Sequence, residues 1–159
     1  MSERLQSVLV VVSALGCGLV AGVFFAFSSF VMGALARLSA PSGISAMQTI
    51  NITVINPLFM GVLFGTAILS LVLGYWSLQA LHDPRALKIL AGAILYVAGS
   101  IFVTLVFNVP LNDALAAADP ASRDGALLWI RYIDSWTAWN HVRGLAALAA
   151  SAAFISALF

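Results

Sequence analysis

Charge is what this chain has least of. Only 8% of its 159 residues are Asp, Glu, Lys or Arg, against about 25% in an ordinary soluble domain. With 62% of residues hydrophobic and a mean hydropathy of +1.06, a water-soluble fold is excluded. The net charge of +1 leaves no basic patch to neutralise phosphates, so no nucleic-acid partner is expected. The single cysteine, Cys17, allows no internal disulfide. His82, His141 and Cys17 form no Cys/His set, and no Glu-x-x-His motif exists. A zinc or di-iron site therefore has no ligands in the sequence, and a haem held by His141 alone is the only haem arrangement left. No metal and no tightly held cofactor are expected. Nucleophile elbows, glycine-rich phosphate loops and Cys-x-x-Cys pairs are missing too, as are the inverted repeats of many transporters.

What remains is apolar sequence in four blocks. From Leu5 to Ala36 there is no charged residue, which is too long for a cleavable signal peptide and follows a nearly neutral stretch, Ser2-Glu3-Arg4. The expected fold is all-α: an integral membrane four-helix bundle forming one domain over residues 1–159, with spans near 7–35, 57–81, 84–107 and 127–158. Asn56-Pro57, Asp83-Pro84 and Asp119-Pro120 each read as an N-cap followed by Pro at the first helical position. Pro110 is expected to break the third helix, and Ser42 to Gln48 to form a short interfacial helix. The Gly18/Gly22 and Gly61/Gly65 spacings let another helix approach closely, within the chain or in a homo-oligomer.

Four spans place both termini and the His82–Lys88 turn on one membrane face. Gln48, Asn51, Asn56, Asn108 and Asn112 then converge on the other, where they can plug the bundle or line a pocket. Arg4, Arg85 and Lys88 on the terminal face balance Arg37, Arg123 and Arg131 on the opposite one. The shorter, denser positive loop favours termini in the cytoplasm of a plasma (inner) membrane.

The last block carries the most costly residues. Sixteen residues follow Arg143, or about 24 Å of helix, whereas a span needs roughly 30 Å. Arg143 and Asn140 therefore fall inside the hydrocarbon or at its edge, where a guanidinium needs partners. At about 100° per residue, Trp129, Tyr132, Trp136, Trp139, Asn140 and Arg143 share one arc, while His141 and Asp134 lie on another. An interfacial aromatic belt with Arg143 snorkelling to headgroups accounts for the aromatics alone. An inward face, with Arg143 bonded to Asn51, Asn56, Asn108 or Asn112, accounts for the polar pair as well.

Five stretches together carry a resemblance: Gly22-Val23-Phe24-Phe25-Ala26-Phe27-Ser28-Ser29-Phe30, Met47-Gln48-x-Ile50-Asn51, Asn56-Pro57, Asn108-x-Pro110-Leu111-Asn112, and Trp136-x-x-Trp139-Asn140-x-x-Arg143. In this order they resemble the anthrone oxygenase-like family of small membrane proteins. The resemblance implies a cofactor-independent monooxygenase that binds a small, flat, apolar aromatic ligand of anthrone, phenol or quinone type and promotes its oxidation by dioxygen. Trp136 and Tyr132 would supply aromatic walls; Asn108, Asn112 and Asn140 amide donors; Arg143 a cation for the anion that forms. Asn51, Asn56 and Gln48 complete the expected binding set, and His141 is the one obvious base near neutral pH. The residues leave open a non-enzymatic membrane protein, either a binding module or an accessory subunit, and more remotely a small transporter.

Overall fold

The computed structural model describes Glu3 to Phe159; Ser2 of the N-terminal stretch lies outside the described residues. Among these there are five helices and no strand: α1 (Glu3–Leu35), α2 (Ala40–Thr53), α3 (Pro57–Ser77), α4 (Pro84–Ala116) and α5 (Arg123–Ser156). The four-helix count is thus not confirmed; the additional helix is the segment around Ser42–Gln48, expected as a short interfacial helix and here 14 residues long. Three helices, α1, α3 and α4, are long and apolar enough to cross a membrane. At 34 residues α5 is longer still, but its apolar stretch is interrupted by Asn140 and Arg143.

Two of the three expected helix starts hold. Asn56 Oδ1 accepts from the Phe59 amide at 3.0 Å and Asp83 Oδ1 from the Arg85 amide at 2.8 Å, each with Pro opening the helix. The third does not. Asp119 Oδ1 accepts from the Ala121 amide at 2.9 Å, which closes a turn and leaves Pro120 outside the helix. Ser122 caps α5 instead, its Oγ accepting from the Gly125 amide at 2.9 Å.

Pro110 does not end α4. Immediately before it, Thr104–Asn108 widens into a π-turn in which the Val109 amide reaches back to the Thr104 carbonyl. Asn108 (φ −79°, ψ −40°) and Val109 (φ −62°, ψ −48°) remain helical. A proline clashes with the carbonyl four residues back in an α-helix; the wider turn relocates that carbonyl, and the helix runs on to Ala116. A second such turn, Phe27–Val31, lies in α1, where the Met32 amide bonds the Phe27 carbonyl.

Helices α1 and α5 pack along most of their length. With α3 and the first half of α4 they enclose one apolar core that includes Leu63, Leu73, Ile89, Tyr96 and Phe154. Close approach is made at Gly92, where a Cβ would lie 3.1 Å from the Phe154 ring, and at Gly74, where it would lie 3.1 Å from Ala93. Gly22, Gly61 and Gly65 have nothing within 4 Å. Within the chain, no helix therefore uses the Gly61/Gly65 spacing for close approach: the pair flanks Leu63 on α3 but does not share its buried face. A second core at the other end joins Met32, Ile44, Met47, Leu115, Trp129, Tyr132 and Trp136. The terminal end is tied by Arg85 Nη2 donating to Ser7 Oγ (2.8 Å) and Lys88 Nζ to the Ser156 carbonyl (2.8 Å).

Outside, large apolar side chains stand bare, including Leu15 (65% exposed), Phe25 (70%), Leu58 (80%) and Ile68 (61%). Helices apolar on every face need an apolar solvent. The chain fits an integral membrane protein.

Candidate functional site

Burial along α5 divides as its helical projection requires. Trp129, Tyr132, Trp136, Asn140 and Arg143 are buried, while Asp134 and His141 are exposed. Trp139 is half-buried and stacks on Phe107 of α4, ring centres 3.6 Å apart. Arg143 does not snorkel; it is only 7% exposed.

The Arg143 guanidinium rests between two rings, 4.0 Å from the centre of Phe24 and 4.9 Å from that of Trp136, an arrangement that stabilises a desolvated cation. Its Nε and Nη2 donate to Asn140 Oδ1 at 3.0 and 2.8 Å, and Nη1 to Thr104 Oγ1 at 3.3 Å. Three of its five N–H groups are thus engaged, all with neutral acceptors. The expected partners Asn51, Asn56, Asn108 and Asn112 are not the ones it finds. Asn140, one helical turn away on the same face, intercepts it. Asn140 in turn donates to the Phe24 carbonyl and Ser28 Oγ, both at 2.7 Å, which locks its amide orientation and ties α5 to α1.

The remaining amides do different work. Asn112 Oδ1 is a hub, accepting from Tyr132 Oη and Trp136 Nε1, both at 2.8 Å. Asn51 Nδ2 reaches Tyr132 Oη at 3.5 Å. Asn108 Nδ2 donates to the Trp136 carbonyl at 3.2 Å, while its Oδ1 is buried with no partner. Gln48 Nε2 holds the end of α4 through the Leu115 and Ala118 carbonyls (2.9 and 3.1 Å), and Asn56 caps α3. Gln48 and Asn56 are fastenings rather than cavity walls.

Two of the three π-helical segments serve this cluster: the one in α1 contains Ser28, and the second of the two in α4, which follows Leu95–Phe102, runs from Thr104 to Asn108. A π-turn shifts the following residues around the helix axis, and here it coincides with the side chains that meet α5. Phe24, Ser28 and Thr104 were not anticipated as site residues. Their spacing carried the signal: Phe24 and Ser28 are four apart, as are Thr104, Asn108 and Asn112, so each set shares a helix face.

Beside the guanidinium lies a cavity of about 220 Å³, bounded by all five helices. Its polar wall is Asn51, Thr104, Asn112 and Arg143; Phe24, Phe27, Phe59 and Trp136 supply aromatic surface. No Asp, Glu, His or Cys lines it, and no cluster of three such residues that could hold a metal occurs among the described residues. His141 lies elsewhere: it lines a separate groove between α1 and α5, on the other side of Asn140 and Phe24, together with Ser28.

The cavity therefore combines a buried cation without a counter-ion, two amides and a hydroxyl in an aromatic box. No curated protein and no solved structure matches the chain. The family profile described as anthrone oxygenase matches residues 58–153, from the start of α3 to near the end of α5 and including Thr104, Asn112, Trp136, Asn140 and Arg143; the chain belongs to the anthrone oxygenase family.

Proposed function

We propose that the protein binds a small flat aromatic molecule bearing an acidic C–H or O–H in the cavity beside Arg143, as its anion, and promotes that anion's oxidation by dioxygen. One observation carries this reading: the buried guanidinium is met only by Asn140, Thr104 and two ring faces. An uncompensated buried charge is costly, and an anionic ligand supplies the missing counter-charge. Arg143 then favours the enolate or phenolate, the Asn112 amide N–H donates to its oxygen, Trp136 and Phe27 flank its plane, and Asn140 and Thr104 hold Arg143 in place, the Thr104 hydroxyl proton being given to the Ser100 carbonyl at 2.8 Å.

The cavity wall holds no general base, so the ligand gives its proton to water as it binds. For an anthrone-like methylene the overall change is balanced by dioxygen alone. The carbanion transfers its electrons to dioxygen as a C–O bond forms; a proton is taken up, the O–O bond breaks, the carbon becomes a carbonyl and the second oxygen leaves as water. This reading has α5 crossing the bilayer as a fourth span and the termini on the cytoplasmic side of the plasma membrane. His141, in the outer groove, has no part in it.

The test is oxygen uptake by metal-stripped protein in detergent supplied with an anthrone or a hydroquinone. Uptake above background that falls at least tenfold in Arg143→Met supports the reading. Uptake equal to the uncatalysed background refutes turnover of these substrates and leaves a binding module. Uptake that appears only after iron or copper is restored refutes the metal-free step.

A further inference from the structure

The cavity opens sideways, and its opening narrows the ligand class. Helices α3 and α4 close on one another where Tyr96 Oη donates to the Leu63 carbonyl at 3.1 Å and where Gly74 meets Ala93. Past Tyr96 the second half of α4 leaves α3 and packs on α5, through the Phe107–Trp139 stack and the Asn108 bond to the Trp136 carbonyl. The gap is framed by Phe64 of α3, Leu105 of α4 and Ile55 of the α2–α3 link. Each lines the cavity and is exposed outside it, at 43%, 52% and 72%. Phe64 lies seven residues into α3, or about 10 Å along the helix, so this mouth faces hydrocarbon rather than water. The polar groups Thr104, Asn112 and Arg143 stand at the inner wall.

Volume decides what fits. An apolar cavity of about 150 Å³ holds one benzene ring, and this one measures about 220 Å³. A flat ring system of the proposed kind fills most of it; anything longer must project through the mouth, and there it meets lipid.

We infer that the ligand is a membrane-resident amphiphile, an oxygen-substituted aromatic ring system carrying a long apolar tail, which enters laterally between α3 and α4 and leaves its tail in the bilayer between Phe64 and Leu105. The inference rests on the proposed function, since it assumes that an oxygen-bearing aromatic ring occupies the cavity. It adds the tail, the route and the two residues that gate it.

Photo-crosslinking of the full chain in lipid nanodiscs tests it with two probes. One is a phenol with a ten-carbon alkyl tail bearing a diazirine near the ring; the other is a tailless phenol bearing a diazirine on the ring. The tailed probe is expected to label peptides containing Phe64 and Leu105. Labelling should fall at least tenfold in Leu105→Trp, rise in Phe64→Ala, and stay unchanged in Ile68→Trp, whose site is exposed on α3 and outside the cavity. Both mouth residues face lipid, so these variants keep the core intact, and their opposite signs separate gating from misfolding. Tailed-probe labelling spread evenly over lipid-facing positions such as Leu71 and Ile94, or indifferent to Leu105→Trp, overturns the lateral route. If the tailless probe then still labels Trp136 or Asn112, the cavity reading stands and only the tail and route fail. If neither probe labels the wall, and Arg143→Met changes nothing, the proposed function fails with them.

Discussion

Replacing Asn140 by leucine isolates the interaction on which the buried cation depends. The substitution removes the oxygen that accepts two guanidinium N–H groups, at 3.0 and 2.8 Å, and leaves Arg143 with Thr104 at 3.3 Å and two ring faces. A hydrogen bond to a charged group is worth about 1.5–3 kcal/mol and a neutral one about 1 kcal/mol. Asn140 also loses its bonds to the Phe24 carbonyl and Ser28 Oγ. Asn140→Leu should therefore cost about 3–5 kcal/mol, since it leaves a buried charge without the acceptor of two of its hydrogen bonds. For a chain of this length that is a fall in Tm of about 6–20 °C. Arg143→Met removes the charge with its desolvation cost and leaves one orphaned amide oxygen, for a loss of about 0–2 kcal/mol. The double variant no longer buries an unpaired cation, so its loss should fall short of the summed single losses by about 2 kcal/mol. Thermal and denaturant unfolding in mild detergent, followed by tryptophan fluorescence, measures all four proteins. Additivity within about 0.5 kcal/mol would show that Asn140 and Arg143 do not act as a unit and that the buried cation is held without the amide.

Other expectations follow from packing and topology. At Gly99 a Cβ would lie 2.5 Å from that of Ala146, so Gly99→Val should cost about 1–3 kcal/mol by overpacking. Gly22→Ala, into open space, should stay within about 0.5 kcal/mol of wild type; equal losses in the two would contradict the packing described. Asn56→Ala should lower stability by about 0.5–2 kcal/mol through loss of the α3 cap, and Asn56→Asp should retain most of it, which unfolding of both variants checks. Cysteine labelling in sealed vesicles of a Cys17→Ser background should reach Asp119→Cys and Phe159→Cys, which lie before and after α5, from opposite sides; labelling of both from one side refutes α5 as a fourth span.

Much of the helical outline was legible because membrane helices declare themselves by unbroken apolar length and by Asn-Pro or Asp-Pro starts. Where local rules failed, a neighbouring group had pre-empted them. Pro110 reads as a helix breaker, yet the π-turn at Thr104–Asn108 removes the clash on which that rule depends. Asp119-Pro120 has the form of a helix start, yet it is Ser122 that accepts from a free amide of the first turn of α5, that of Gly125. The inward face of α5 could be read because 100° per residue survives in a long regular helix. The partners of Arg143 could not, because choosing among several amides requires distances that spacing does not contain. The nearest, Asn140, was on its own helix all along. The cavity and its mouth belong to the divergence of α3 from α4, a tertiary feature with no local signature.

The central claim is that the buried guanidinium selects the anionic form of an aromatic ligand, and ligand ionisation tests it most directly. A chromophoric phenol carrying an alkyl tail can be titrated by absorbance in nanodiscs with wild-type protein, with Arg143→Met and with no protein. An unpaired cation favours the ionised form and lowers the pKa of a group beside it. The expected result is a bound fraction that ionises at a pH at least one unit below that in empty nanodiscs, with the shift lost in Arg143→Met. Ionisation at the same pH in all three samples would contradict the role given to Arg143 and the function built on it.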